Sequence, residues 1–223
     1  MIVVFQYYNT FHAENLLIDI YMEQLSFFDD NRQSPGIPAG LMDYKPNFFT
    51  AEESARLFRE LKETIQWKQE TILMYGKTLY TPRLTAWYGD NSKTYAFSGK
   101  RYDPYLWTPD LLFIKQRVEQ AAAVTFNSVL LNNYRNGNDS VAWHADDEPE
   151  LGVNPIIASV SFGQARRFDV RHKQNHKLKY SVELGNGSLL IMRGDLQHNW
   201  QHQVPKSTKA VKERINLTFR MIS

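Results

Sequence analysis

His144, Ala145 and Asp146 form an H-x-D within the run Asn132–Glu148, NNYRNGNDSVAWHADDE. In an extended chain, side chains two residues apart point to the same face, so an imidazole and a carboxylate stand side by side. Both are ligands for a divalent metal ion. A third ligand is available downstream in NWQHQVP, where His202 is the natural candidate because strands distant in sequence converge at one end of a barrel. His198 competes with it on spacing. The chain has no cysteine, so disulfides, thiolate zinc sites and thiol nucleophiles are excluded together and any metal must be held by His and carboxylate.

Two imidazoles and one carboxylate on an octahedral ion leave three positions open, the facial triad of non-haem Fe(II) oxygenases. Such a site needs an anionic co-substrate close by. RINLTFR, Arg214–Arg220, supplies the means: Ile215, Leu217 and Phe219 alternate with Arg214, Asn216, Thr218 and Arg220, the period of a strand with one apolar face. Two arginines share the polar face, and a guanidinium grips a carboxylate through a bidentate fork.

Together with N-x-Y (Asn132, Tyr134), H-A-D-D-E (His144–Glu148), I-A-S-V-S-F-G (Ile157–Gly163) and F-D-V-R-H-K (Phe168–Lys173), these motifs resemble the AlkB family of Fe(II)/2-oxoglutarate dioxygenases, in its DNA-repair branch, from about Leu41 to Ile222. The resemblance implies that His144, Asp146 and His202 hold Fe(II), the later His of H-x-W-x-H being the ligand. It implies that Asn132, Tyr134, Arg214 and Arg220 hold 2-oxoglutarate, with Arg220 on the distal carboxylate and Arg214 supporting the near one. O2 is the second co-substrate.

The implied reaction is oxidative demethylation of N-alkylated bases in DNA, a direct reversal that releases succinate, CO2 and formaldehyde. DNA, single- or double-stranded, is the implied substrate, with RNA a further one. Alternatives are a related dioxygenase acting on RNA or protein and a non-catalytic jelly roll that binds nucleic acid. Tyr75 falls at the family's wedge position, and Tyr95 and Phe97 where the target base stacks. Arg83, Arg171, His172 and Lys173 join them as expected DNA contacts. Glu148 either meets the exocyclic group of the base or is a solvated loop carboxylate.

Composition bounds the rest. At 223 residues, one domain with a full core fits and a second is cramped. No apolar run approaches the ~20 residues of a membrane span, and MIVVFQYYNTF lacks a basic n-region, so no signal peptide is expected. The absence of cysteine suits a reducing cytoplasm, the compartment expected here. Net charge is only +2. The basic residues Arg166, Arg167, Arg171, Lys173, Lys177 and Lys179, however, surround the single acid Asp169, a stretch that invites a phosphate backbone. A monomer is expected.

The elements that must position these residues follow in chain order. Residues 1–40 end in DDNRQSPGIPAG and read as a flexible extension, with Met22 a second candidate start. Within it, Gln24-Leu25-Ser26-Phe27-Phe28 resembles the pentapeptide Gln-Leu-Ser-Leu-Phe that docks bacterial repair proteins on the sliding clamp, with Phe27 where Leu is usual. The same apolar residues could instead brace the catalytic domain, residues 41–223.

Thr50 and Glu53 form a capping box for a helix with the stripe Ala51, Ala55, Phe58, Leu61 and Ile65. A second helix runs from Thr108 and Pro109 to about Val124, with Leu111, Ile114, Val118 and Ala121 inward. Between them, residues 67–107 read as a hairpin around Gly76 and a further strand, the family's nucleotide-recognition lid. From Val124 onward, many short strands separated by turns, including Asn186-Gly187, favour a sandwich or barrel. The fold expected is mainly β with flanking helices (α+β), a jelly-roll or double-stranded β-helix core.

Overall fold

The alternating segment RINLTFR becomes β14 (Arg214–Arg220), which pairs on both sides with antiparallel neighbours inside the larger of two sheets. The structure, a computed structural model, describes residues 40–223 except 75–76, 91–94 and 98–99, and only the backbone of 72–74, 77, 95–97 and 100–102. Met22, the Gln24–Phe28 motif and Tyr75 lie outside the described residues, as do the side chains of Tyr95 and Phe97.

The larger sheet runs β1 (Met42–Lys45), β12 (Ser188–Met192), β9 (Ile157–Gly163), β14, β7 (Ser128–Tyr134) and β4 (Leu84–Gly89). The smaller runs β11 (Lys179–Leu184), β10 (Arg166–His172), β13 (Trp200–Val204) and β8 (Val141–His144). From β7 to β14 the chain crosses repeatedly from one sheet to the other, the winding of a jelly roll. Helix α1 (Ala51–Thr64) and helix α2 (Pro109–Ala122) pack on the outside of the larger sheet.

Side-chain alternation divides the protein into two cores. Leu131, Val160, Ile215, Leu217 and Phe219 face outward under Leu57, Leu61, Leu111 and Ile114 of the helices. Tyr134, Ile157, Phe168, Val170, Leu190, Met192 and Trp200 fill the space between the sheets. Each fully buried Leu or Ile contributes about 1.5–3 kcal/mol.

The capping box forms as expected, with Glu53 N–H donating to Thr50 Oγ1 at 3.1 Å and Thr50 N–H to Glu53 Oε2 at 2.9 Å. The stripe of α1 forms in part: Leu61 and Ile65 are buried and Phe58 packs on the core, but Ala51 and Ala55 are exposed and Ser54 and Leu57 are buried instead. Rolling the helix buries Leu57 in place of Ala55, which removes more apolar area from water. Helix α2 buries Leu111, Ile114, Val118 and Ala122.

The described strands of residues 67–107 fall in three sheets. β2 (Thr71–Met74) and β3 (Lys77–Tyr80) pair as a hairpin, and β5 (Tyr95–Phe97) with β6 (Lys100–Tyr102) as another. β4, between them in sequence, is a strand of the larger sheet beside β7. Asn186 and Gly187 do make a turn, Ser188 N–H donating to Gly185 O at 3.3 Å, but it carries the chain from the smaller sheet to the larger. Among the described residues no helix is long and apolar enough to cross a membrane.

Candidate metal centre

His144 closes β8 and faces His202 on β13 in direct register. A register shift between His202 and Val204 interrupts the pairing there, an irregularity of the kind that re-aims side chains beside sites. Their rings lie 4.3 Å apart between centroids, and His144 Nε2 is 3.7 Å from Asp146 Oδ1. One ligand atom from each of His144, Asp146 and His202 lies within 4.8 Å of the other two. His198 lies outside this group; it is exposed and its Nε2 accepts the Asn154 N–H at 3.2 Å.

Hydrogen bonds and burial orient the triad. His144 Nδ1–H donates to the Ala142 carbonyl at 2.8 Å, which turns Nε2 toward Asp146. Burial and the neighbouring His144 push His202 down to about 3, against the opposing pull of Asp146, so its imidazole is neutral near neutrality. Burial alone would raise Asp146, yet Arg220, His202 and His144 outweigh it and hold the carboxyl well below the usual range. The Arg220 guanidinium donates to Asp146 Oδ2 at 2.9 Å.

Polar residues line the larger sheet opposite. Arg214 is 1% exposed and donates to Ser161 Oγ at 2.9 Å, while its Nε and Nη1 have no partner among the described residues. Its guanidinium lies 5.1 Å from the Tyr134 ring centroid. Burial pushes its pKa below the ordinary value. A buried cation with open donors is costly unless an anion meets it, so this pocket suits a carboxylate. Asn216 donates to Ser159 Oγ at 2.8 Å and lies opposite Asn132.

The two arginines of β14 thus differ: Arg220 is engaged by Asp146, whereas Arg214 is held by Ser161 through one nitrogen. Alternation along the strand assigns a face but not a depth.

The expected DNA contacts separate. Arg83 Nε donates to Asn132 Oδ1 at 2.7 Å and its Nη1 to Ser140 O at 3.2 Å, which ties it to β7. Arg171 stacks on Trp143 at 4.1 Å and donates to Gln201 at 3.0 Å. His172 Nδ1 accepts the backbone N–H groups of Gln174 and Asn175, and its ring meets Trp200 edge-on. Lys173 reaches Asp147 at 2.8 Å. Glu148 follows the ligand loop with a buried Oε2 that has no partner among the described residues.

Of the basic run, Arg166 is buried, Arg171 and Lys173 are half-buried, and Arg167, Lys177 and Lys179 are exposed. Arg166 is buried against the carbonyls of Asn136, Asp139 and Pro205, and Arg167 pairs with Asp169. Sequence reasoning passed over Ser159, Ser161 and Gln197. Asn216 was legible in principle, since it stands between Arg214 and Arg220 on the same face.

A family profile described as "2OG-Fe(II) oxygenase superfamily" matches residues 41–220. Alpha-ketoglutarate-dependent dioxygenase alkB homolog 3 of Bos taurus is 44% identical over 185 residues, covering 79% of this chain and 64% of its own. The chain thus spans less than two thirds of the length of that relative. DNA oxidative demethylase ALKBH2 of Homo sapiens is 38% identical over 184 residues, covering 78% and 70%. The solved structure of OsALKBH1 superimposes with a TM-score of 0.57 at 16% identity, covering 81% of this chain and 97% of that one, a likeness of fold. The chain belongs to the 2OG-Fe(II) oxygenase superfamily and, within it, to the AlkB family.

Proposed function

We propose that this protein is an Fe(II)- and 2-oxoglutarate-dependent dioxygenase that removes alkyl groups oxidatively from bases of DNA. One observation carries the reading: the His144–Asp146–His202 cluster is tied through Arg220 to β14, the same strand on which Arg214 keeps two buried donors open. Relatives named alkB homolog 3 and DNA oxidative demethylase support the substrate class.

When bound, iron with 2-oxoglutarate and O2 supplies an oxidation that hydroxylates the N-alkyl carbon, with succinate and CO2 as co-products and formaldehyde leaving as the adduct collapses. The protein supplies ligands, orientation and dryness. His144 offers Nε2 because its other nitrogen is occupied by Ala142 O. Arg214 takes the far carboxylate of the co-substrate, and Asn132 and Tyr134 stand beside it, the Asn132 amide fixed by Arg83. Arg220 holds the Asp146 carboxylate in place.

The base must leave its stack to reach this site, which is cheapest where damage already weakens pairing. The resemblance gives Glu148 the contact with an N–H of that base, and its buried Oε2, without a partner among the described residues, supports this. The family resemblance gives Tyr75 the wedge role and Tyr95 and Phe97 the stacking role.

Succinate release tests the reading. Wild-type protein with Fe(II) should convert 2-oxoglutarate, faster with methylated oligonucleotide present. His202→Ala should abolish conversion and His198→Ala should retain it. Wild-type protein that never consumes 2-oxoglutarate would be a binding module instead.

A further inference from the structure

Gln197 opens no recognisable motif, yet its side chain lies under the metal-ligand loop. It sits on the short helix α3 (Leu196–Asn199), just before the strand that carries His202, and is 1% exposed. Its Oε1 accepts the backbone N–H of Asp146 at 3.0 Å, and its Nε2 lies 3.6 Å from Met192 Sδ. Lys173 closes the arrangement from outside, its Nζ donating to the Gln197 carbonyl at 2.9 Å and to Asp147 Oδ2 at 2.8 Å. The Lys173 backbone is itself anchored, donating to Asn199 O at 2.8 Å.

Asp146 follows β8, an edge strand among the described residues, so no neighbouring described strand on the open side holds its backbone. Its main-chain N–H is buried and Gln197 is the partner that satisfies it. The side chain of Asp146 is fixed separately by Arg220. Main chain and side chain of one ligand are thus fixed from different elements, which sets the carboxylate against the two imidazoles.

We infer that Gln197 is a positioning residue for the metal centre: it orients Asp146 through the backbone, and Lys173 locks Gln197 and Asp147 together from the solvent side. The inference rests on the triad being the metal site. Partners of ligands, one bond removed from the metal, tune affinity by about 10–100-fold. Lys173 then serves the metal loop rather than a phosphate.

The test is titration of metal-free protein with Co(II), followed by its visible absorption, with thermal unfolding of the same metal-free samples measured alongside. Gln197→Met keeps length and approximate volume but loses the oxygen acceptor; it should bind Co(II) about 10-fold more weakly or worse, with an altered visible spectrum and a cooperative unfolding transition. Gln197→Glu keeps an oxygen at the same reach and should restore most of the affinity.

Wild-type affinity in Gln197→Met would overturn the inference. So would equal losses in both variants that merely track their thermal stability, since that is packing. Should Gln197→Met fail to fold, Lys173→Met decides: weaker Co(II) binding with unchanged unfolding supports the clamp, and unchanged binding removes it. Wild-type protein that binds no Co(II) would instead sink the metal-site reading underneath.

Discussion

Arg220, on β14 of the larger sheet, donates to Asp146 at 2.9 Å and so joins that sheet to the loop leaving β8 of the smaller one. Arg214 shares its strand and its face but keeps Nε and Nη1 open. The two arginines should therefore fail differently. Arg214→Lys keeps the charge and loses the fork, and is expected to weaken 2-oxoglutarate affinity about 10-fold or more while metal binding stays near wild type. Arg220→Lys should weaken Co(II) binding as well. Calorimetric titration of each ligand separates the cases; equal effects on 2-oxoglutarate alone would dissolve the distinction.

Arg83 is expected to act through Asn132. Its guanidinium is shared between Asn132 Oδ1 and Ser140 O, so removing it frees the Asn132 amide. Arg83→Met should raise the KM for 2-oxoglutarate several-fold even when turnover is measured without nucleic acid. A variant that changes only the KM for oligonucleotide would make Arg83 a DNA contact and nothing more.

Stability of the metal-free protein should fall with acid in a window set by His202. Its folded value, about 3, lies below the ordinary 6.5 of the unfolded chain. Between those values the unfolded chain binds more protons, so stability rises with pH across the window and is lost as pH falls from about 6.5 toward 3. At pH 5 the loss is about 2 kcal/mol by this linkage. Asp146, held below its ordinary range, adds to the loss at still lower pH. Urea midpoints at pH 7 and pH 5 measure it, and His202→Gln should flatten the difference. An unchanged slope in that variant would place the proton elsewhere.

Gly187→Ala is expected to destabilise the fold by about 2 kcal/mol or more, from the left-handed backbone alone plus a clash. Gly187 has φ +72°, and an added Cβ would meet Phe49 O at 2.7 Å and would also strike Ser54 Oγ. The Ser54 hydroxyl can rotate, whereas the Phe49 carbonyl oxygen is backbone. Thermal unfolding reports the loss. Gly40, with φ +83° and nothing within 4 Å of its Cβ position, provides the comparison and should lose less.

Much of this architecture could be read from side-chain period. RINLTFR, IASVSFG and RRFDVRH carry enough alternation to become β14, β9 and β10, and Thr50 with Glu53 announces α1. β8 and β13 were harder. VAWH is four residues long, and WQHQV alternates cleanly only when His202 is counted as inward, which the triad alone explains. The spacing of His144 and Asp146 could be read because two residues on one strand face are a local matter. The Gln197–Asp146 contact could not, because it joins a helix turn to a loop across the fold and neither side carries a period.

Mass spectrometry of methylated single- and double-stranded oligonucleotides, incubated with the protein, Fe(II), 2-oxoglutarate and ascorbate, tests the central claim most directly. The account predicts that the methyl group is lost from the base, with formaldehyde released and no change when His202→Ala replaces the wild type. Oligonucleotides that keep every methyl group while wild-type protein consumes 2-oxoglutarate would contradict it and turn the search to another substrate.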